Sequence, residues 1–203
     1  MIEIPIGKGS LKGDLIVPKA AKALVIFAHG SGSSRKSPRN MYVAEVLQKA
    51  GLATLLFDLL TEEEDLTREN RFDIGLLTER LKIAANFVHQ NNHLPVGYFG
   101  ASTGSAAALS AAVGDEAIFA IVSRGGRPDL AGGNLGKVAA PTLLLVGGND
   151  DVVIDLNKEA QSKMKCEVKL TIIPGATHLF EEKGALEEVA ELAAKWYLAH
   201  IKD

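Results

Sequence analysis

Short apolar runs alternate with longer amphipathic segments along most of this chain, and this alternation limits its possible folds more than any other feature. A strand buried on both faces has a continuous apolar run, whereas a helix that covers a sheet is apolar on one face only. The pattern predicts the α/β class, with a mostly parallel twisted sheet and helices on both faces. The predicted strands are Leu11–Val17, Ala23–Ala28, Ala53–Asp58, Pro95–Phe99, Ile118–Ser123, Thr142–Val146 and Val168–Ile173, and the predicted helices are Ser37–Ala50, Ile74–Gln90, Ser102–Val113, Ile154–Met164 and Ala185–Ile201.

The N-terminal stretch departs from this alternation. Two segments with alternating apolar residues flank Gly7-Lys8-Gly9, and the second of them ends before Pro18. Glycines between two such segments are typical of a tight turn. We therefore expect an antiparallel hairpin at one edge of the sheet.

Composition excludes several classes of protein. A chain of 203 residues is long enough for one α/β domain with a substantial core, and we expect a single domain over residues 1–203. The residues are 47% hydrophobic and 23% charged, and the net charge is -3 without a long block of like charge. This balance is typical of a soluble globular protein, and it argues against a partner that is a nucleic acid or another polyanion.

The first residues and the cysteine count indicate a compartment. The N-terminus lacks the basic region, the apolar stretch and the cleavage site of a signal peptide, and no apolar run approaches the ~20 residues that span a bilayer. The one cysteine, Cys166, excludes an internal disulfide and a cysteine-based metal cluster. We therefore expect a cytoplasmic protein with no membrane partner.

Ser102 is a candidate nucleophile. It lies in Gly100-Ala101-Ser102-Thr103-Gly104, directly after an apolar run that predicts a strand and before a segment that predicts a helix. A serine on a tight strand-to-helix turn needs small neighbours, because its backbone is strained and its hydroxyl must stay exposed. The small alanines of the following helix place it in the middle of the sheet, at a carboxyl strand end where α/β proteins bind ligands.

A serine hydroxyl also requires a base and an acid that orients the base. His178 is the candidate base, because it follows the last predicted strand in a loop. The acid is expected after Thr142–Val146, where Asp150 and Asp151 stand side by side in a turn. Adjacent loop residues usually point in different directions, so only one of the two aspartates should face the histidine.

Two backbone N–H groups are needed to stabilise the negative charge that develops on the substrate oxygen. Thr103 directly follows the candidate nucleophile at the start of its helix, and its N–H is the first candidate. The glycine-serine loop after Ala23–Ala28 offers the second, with Ser31 preferred and Gly32 as the alternative.

Four short motifs together resemble the α/β-hydrolase superfamily, and within it the small dienelactone-hydrolase-like group. They are H-G-S-G at 29–32, G-x-S-x-G at 100–104, G-x-x-D-x-x-V at 147–153 and G-A-T-H at 175–178. The resemblance covers nearly the whole chain. It implies an α/β-hydrolase fold, a catalytic triad of Ser102, Asp150 and His178, and an oxyanion hole formed by Ser31 and Thr103.

The resemblance also implies an activity. It indicates a serine esterase that cleaves small soluble carboxylic esters without a metal or organic cofactor, as a monomer or small homo-oligomer. Dienelactone hydrolases proper carry a cysteine at the position of Ser102, so lactone or thioester hydrolysis is the alternative. Relatives often insert a helical cap after the strand that here ends near Ser123, but this chain reaches Pro141 in a short glycine-rich segment. We therefore expect an open site with no large cap.

Arg124 follows that strand at the rim of the expected site. Its guanidinium could bind a substrate carboxylate or phosphate through paired hydrogen bonds. The alternative is that Arg124 or Arg127 forms a salt bridge with a loop acid such as Asp129 or Asp151.

Two other functions compete with hydrolysis. The segment 30–37 follows a strand and precedes a helix, as a phosphate-binding loop does, but Arg35 stands where the nucleotide-binding fingerprints require glycine. A protein that binds a small molecule on a hydrolase scaffold without turnover is the other alternative.

Overall fold

The computed structural model describes residues 1–202, and its centre is one eight-stranded sheet. The strands are β1 (Ile2–Pro5), β2 (Ser10–Ile16), β3 (Leu24–Ala28), β4 (Ala53–Phe57), β5 (Val96–Ala101), β6 (Ile118–Arg124), β7 (Thr142–Gly147) and β8 (Val168–Ile173). Their order across the sheet is β1-β2-β4-β3-β5-β6-β7-β8. The pairs from β4 to β8 are parallel, which confirms the predicted mostly parallel sheet.

The antiparallel hairpin at the edge is also confirmed. Strand β1 pairs with β2, and β2 pairs in turn with β4, in both cases antiparallel. The N–H of Ile6 donates to the carbonyl oxygen of Gly9 at 3.1 Å and closes the turn between β1 and β2. Gly9 has a φ of 96°, a backbone conformation that glycine adopts without steric cost.

The described residues contain six α-helices, five of them between strands and the last after β8. They are α1 (Pro38–Lys49), α2 (Glu62–Asp65), α3 (Ile74–Asn91), α4 (Thr103–Ala111), α5 (Asp151–Lys163) and α6 (Ala185–His200), and short 3-10 segments cover Arg68–Phe72 and Pro128–Lys137. Buried residues of α1 and α6 form the core on one face of the sheet. Those of α3, α4 and α5 form the core on the other face.

The acidic run Glu62–Asp65, which the sequence allows as either a solvated loop or a helix start, forms the single turn of α2. The hydroxyl of Thr61 accepts from the N–H of Glu64 at 3.1 Å, and the Glu64 carboxylate accepts from the N–H of Thr61 at 2.9 Å. This reciprocal pair is a capping box, and its T-x-x-E signature is visible in the sequence. The first turn of α5 was missed, because Gly147-Gly148-Asn149-Asp150-Asp151 resembles a loop although the helix begins at Asp151.

The small residues of α4 let this helix lie directly on the sheet. Its residues are all buried, and a Cβ placed on Gly104 would lie 2.1 Å from the carbonyl oxygen of Ala28 in β3. Only glycine permits this approach, so α4 begins in the middle of the molecule at the carboxyl ends of the parallel strands.

The connection between β6 and β7 contains no inserted domain. The chain passes from Arg124 through the short segment Pro128–Lys137 to Thr142, and this confirms the expected absence of a large cap. None of the helices within residues 1–202 has both the length and the apolar character to cross a membrane.

Candidate active site

Ser102 lies on a strained turn between β5 and α4. Its φ is 50° and its ψ is -121°, a conformation that non-glycine residues rarely adopt. Such strain costs about 1–3 kcal/mol and persists only where the surroundings enforce it. Here the N–H of Ser102 donates to the carbonyl oxygen of Arg124 at 3.3 Å, and its own carbonyl oxygen accepts from the N–H of Arg127 at 3.1 Å. The residue is partly exposed.

Glycine before this turn has a packing reason of its own. A Cβ on Gly100 would lie 2.5 Å from the Cα of Ser105, so only glycine lets the first turn of α4 fold back over the strand end. The hydroxyl of Ser105 then donates to the carbonyl oxygen of Gly100 at 2.9 Å. The two glycines of the G-x-S-x-G motif therefore allow close packing around Ser102, and the serine itself carries the positive φ.

Asp150 and His178 form a close pair at the same edge of the sheet. Asp150 follows β7, His178 follows β8, and Oδ2 of the carboxylate lies 2.6 Å from Nδ1 of the imidazole. The Asp150 side chain is largely buried at 16% exposure, whereas that of His178 is 39% exposed. Asp151 is instead the exposed first residue of α5.

Backbone hydrogen bonds hold the two loops of this pair together. The N–H of Gly148 donates to the carbonyl oxygen of Ile173 at 2.8 Å, and that of Asn149 donates to Ala176 at 2.9 Å. A Cβ on Gly147 would lie 2.4 Å from the Ala176 oxygen, so the approach of the loops requires glycine there. The carboxylate–imidazole geometry is thus built by the main chain.

His178 and Ser102 flank the same segment. A Cβ on Gly125 would lie 3.6 Å from Cε1 of His178, and the preceding residue, Arg124, accepts the hydrogen bond from Ser102. In the part of the chain that the structure describes, no hydrogen bond joins Oγ of Ser102 to the imidazole. The hydrogen bond between a catalytic nucleophile and its base often forms fully only when substrate binds, so its absence here does not argue against Ser102 and His178 as such a pair.

The loop after β3 lies against Ser102, and the N–H of Ser31 in this loop already has a hydrogen-bond acceptor. A Cβ on Gly30 would lie 3.1 Å from the Cβ of Ser102. The N–H of Ser31 donates to Oγ1 of Thr103 at 2.9 Å. Ser31 and Thr103 are therefore in contact. The Ser31 N–H points at the start of α4 and is hydrogen-bonded to the Thr103 hydroxyl.

His29 anchors this loop, a role that sequence reasoning did not assign. Nε2 of its imidazole accepts from the N–H of Leu59 at 3.1 Å, and Nδ1 lies 2.9 Å from the carbonyl oxygen of Gly30. Burial lowers the pKa of His29 below its usual 6.5 and keeps the ring neutral. The signal in the sequence was a polar residue at the end of a buried strand.

The two arginines after β6 have different surroundings. Arg127 forms two hydrogen bonds with the carboxylate of Asp129, at 2.9 and 2.8 Å. Arg124 is 7% exposed, and Nη2 of its guanidinium donates to Oδ1 of Asn40 at 3.2 Å. Burial, together with the charge of Arg39, lowers the pKa of Arg124 to about 10. The alternative that an arginine pairs with a loop acid therefore holds for Arg127, which pairs with Asp129, and does not hold for Arg124.

A buried amide fixes the segment that carries these arginines. Nδ2 of Asn157, a fully buried residue of α5, donates to the carbonyl oxygen of Gly126 at 3.0 Å. Because Asn157 is an interior position of a helix, its sequence gave no sign of this contact.

In the segment 30–37, which resembles a phosphate-binding loop, Arg35 forms ion pairs with two carboxylates. Arg35 pairs with Asp58 through its guanidinium, and its N–H donates to the same carboxylate at 2.8 Å. Asp14 also lies 3.2 Å from Nε of Arg35. With its charge balanced by two carboxylates, Arg35 offers nothing to a phosphate. Across residues 1–202 no group of three or more His, Cys, Asp or Glu side chains could hold a metal ion.

Comparisons with known proteins identify the family. Residues 21–200 match the model of the alpha/beta hydrolase domain. A crystal structure of a dienelactone hydrolase from Anabaena variabilis ATCC 29413 is 55% identical, covers 99% of this chain and 97% of that one, and has a TM-score of 0.96. Est1E from Butyrivibrio proteoclasticus with ferulic acid bound has a TM-score of 0.85 at 20% identity, covers 99% of both chains and shares the fold.

Curated relatives add a second name. Two proteins from strains of Mycobacterium tuberculosis, each named "Putative phosphoribosyl transferase", are 55% identical over 204 residues. The alignment covers 98% of this chain but 46% of theirs, so the chain spans less than half the length of these relatives. The family model and the structural likeness agree with the eight-stranded sheet and its edge hairpin, and this chain belongs to the alpha/beta hydrolase family.

Proposed function

We propose that this protein is a serine hydrolase that cleaves carboxylic esters of small soluble substrates through an acyl-enzyme. The observation that carries the proposal is the strained turn at Ser102, which lies at the same sheet edge as the Asp150–His178 pair. Glycine would adopt this backbone conformation at lower cost, so a serine at this position lowers stability and is expected only where its hydroxyl has a function. The strain serves a hydroxyl that must face a substrate.

Acylation would begin with attack of Oγ of Ser102 on the ester carbonyl carbon. Nε2 of His178 takes the hydroxyl proton, and the carbonyl oxygen becomes an oxyanion. Asp150 keeps Nδ1 protonated and stabilises the imidazolium. When the tetrahedral intermediate collapses, the bond to the alcohol oxygen breaks and the alcohol leaves with the proton from His178.

Deacylation would use the same groups with water as the nucleophile. His178 takes a proton from water, the hydroxide attacks the acyl carbon, and Ser102 leaves with that proton restored to Oγ. The N–H groups of Thr103 and Ser31 stabilise both oxyanions. The Ser31 N–H is 2.9 Å from Oγ1 of Thr103, so its bond would pass to the substrate oxygen or be shared with it.

Lactones are the second candidate substrates. The 55% identical relative is named a dienelactone hydrolase, and a lactone reacts by the same steps with an alcohol that stays attached to the acyl group. Thioesters would follow the same route with a thiol leaving group. The missing cap leaves the site open to ring-shaped and linear acyl groups alike.

We do not extend the transferase name of the mycobacterial relatives to this chain. That name belongs to proteins of which the chain spans 46%. A strained serine beside a carboxylate–imidazole pair supports acyl transfer, and Arg35, in the one segment that resembles a phosphate loop, is already paired with Asp58. A scaffold that binds without turnover would not need the Asp150–His178 pair.

The first test is hydrolysis of p-nitrophenyl esters of varied acyl length and charge by the parent and by Ser102→Ala. We expect turnover by the parent, and a kcat lower by on the order of 10^4 or more in Ser102→Ala without loss of fold. Cys166→Ala is the control, since it removes the one thiol of the chain and should keep the parent kcat. A Ser102→Ala protein with near-parent activity would remove Ser102 from the mechanism.

A further inference from the structure

Arg124 is a buried cation without a carboxylate. In the residues the structure describes, its guanidinium has one hydrogen-bond acceptor, Oδ1 of Asn40, and its Nε is buried with no partner. The ring of Phe180 lies 6.0 Å from the guanidinium carbon and compensates the charge only in part. A guanidinium has five N–H donors, and a buried charge that is not paired is costly.

Other arginines close to the site are balanced. Arg127 is bonded to Asp129 at 2.8 Å, and Arg35 contacts the carboxylate of Asp58. Both are more exposed than Arg124, so water solvates their charge better and a carboxylate partner matters less to them. Because the most buried of the three lacks an acid, its partner is expected to come from outside the chain.

The start of α1 and the side chain of Arg39 add positive potential near the Arg124 guanidinium. Asn40 lies in the first turn of α1, and the positive end of the dipole of this twelve-residue helix attracts anions even though the N–H groups of Asn40 and Met41 are already bonded to Ser37. Arg39, beside it, lowers the pKa of Arg124 by its charge, and Nε of Arg39 is also buried without a partner. Within residues 1–202 its one ion pair is with Glu181, whose side chain is 66% exposed, at 3.2 Å. An exposed pair of this kind contributes little and is easily displaced.

This cluster adjoins the candidate active site. The carbonyl oxygen of Arg124 accepts from the N–H of Ser102, and a Cβ placed on the next residue, Gly125, would lie 3.6 Å from Cε1 of His178. Phe180 and Glu181 follow His178 in the same loop. A substrate whose ester carbonyl faces Ser102 could therefore extend an anionic end toward the arginines.

We propose that Arg124 and Arg39, beside the first turn of α1, form a subsite for a phosphate group carried by the ester substrate. The inference rests on the proposed hydrolase function and names its substrate class. Two guanidinium groups provide donors from different directions, and the dipole of α1 adds positive potential. That arrangement suits the tetrahedral oxygens of a phosphate dianion better than the planar pair of a carboxylate.

The test compares three p-nitrophenyl esters with similar acyl chains. One is 4-nitrophenyl 4-phosphonobutyrate, the second is its dimethyl phosphonate ester, which is neutral, and the third is mono-4-nitrophenyl glutarate. The readout is the ratio of kcat/KM for the phosphonate to that for the neutral ester. Loss of a charge-assisted hydrogen bond costs about 1.5–3 kcal/mol, so the parent should prefer the phosphonate by about tenfold to a hundredfold.

Variants then assign that preference. Arg124→Met should bring the ratio close to one, and Arg39→Gln should lower it by about threefold or more. Glu181→Gln frees Arg39 from its pair and should raise the ratio. Arg127→Met is the matched control, because its side chain is bonded to Asp129, and it should keep the parent ratio. If Arg124→Met does not fold, Arg39→Gln and Glu181→Gln provide the same test, because Arg39 is partly exposed and Glu181 is exposed.

The outcomes separate the two proposals. A parent that hydrolyses the neutral ester but shows no preference for the phosphonate would overturn the subsite and leave the hydrolase function intact. Equal preference for the glutarate and the phosphonate would contradict phosphate as the ligand. A parent that hydrolyses none of the three esters would contradict the hydrolase function and the subsite with it.

Discussion

The acid–base half of the candidate site, Asp150 with His178, and the oxyanion half, Ser31 with Thr103, are prepared to different degrees. The carboxylate and the imidazole are already 2.6 Å apart, on loops joined by main-chain hydrogen bonds. In the oxyanion half the Ser31 N–H is bonded to the side chain of Thr103. The carboxylate–imidazole pair is thus formed before any substrate binds, whereas the Ser31 N–H must give up or share its bond to Thr103 before it can donate to a substrate oxygen.

The largest effect should come from the acid–base half. In Asp150→Asn the side-chain NH2 can donate to Nδ1 and so favours the wrong tautomer of His178, and the negative charge that stabilises the imidazolium is lost. We expect kcat to fall by about 10^3 to 10^4 with the fold intact. Asp151→Asn is the matched control, as Asp151 is exposed at the start of α5. Equal losses in both variants would show that the pair has no special role.

An intermediate effect should come from the anchor of the oxyanion half. His29→Phe leaves the N–H of Leu59 without its acceptor, so the free energy of unfolding at pH 7.5 should fall by about 1–3 kcal/mol in urea titrations.

The pH dependence sharpens this prediction. Burial lowers the pKa of His29 in the folded state, so the unfolded chain binds a proton first as the pH falls below 6.5. The parent then loses stability by up to about 1.4 kcal/mol per pH unit from this group, and the variant does not. The gap between the two should narrow from pH 7.5 to pH 5.5. A constant gap would contradict a neutral, buried His29.

The smallest effect should come from the Thr103 hydroxyl. Thr103→Val keeps the shape of the side chain but removes the acceptor for the Ser31 N–H, so the loop is less well held. One hydrogen bond contributes about 0.5–1.5 kcal/mol, which corresponds to a loss of about threefold to tenfold in kcat. Thr103→Ser should restore it. A Thr103→Val protein with raised kcat would mean that the hydroxyl only competes with substrate for the N–H.

The order of elements and the strands themselves could be predicted from sequence, because both depend on local patterns. Apolar runs long enough for a buried strand and amphipathic runs long enough for a helix are repeated along the chain, and every predicted strand and helix occurs with ends that differ by at most three residues. The ends are harder, since a loop composition such as that of Gly147–Asp151 hides the helix start at Asp151.

The site could be predicted only as far as single residues at strand ends. Parallel strands place Ser102, Asp150 and His178 at one edge, and motif spacing selects them. What sequence could not supply is pairing across loops: the Ser31 N–H on Thr103, or Arg124 buried without an acid. These depend on where distant segments meet, and no local pattern encodes that.

The central claim is that Ser102 is an activated nucleophile, and a fluorophosphonate probe tests it most directly. Intact-mass measurement and peptide mapping of the folded parent should find one adduct, on Ser102, and Ser102→Ala should remain unmodified. Because activation depends on the acid–base half, Asp150→Asn should react more slowly. A folded parent that stays unmodified, or an adduct on another residue with Ser102 untouched, would contradict the account.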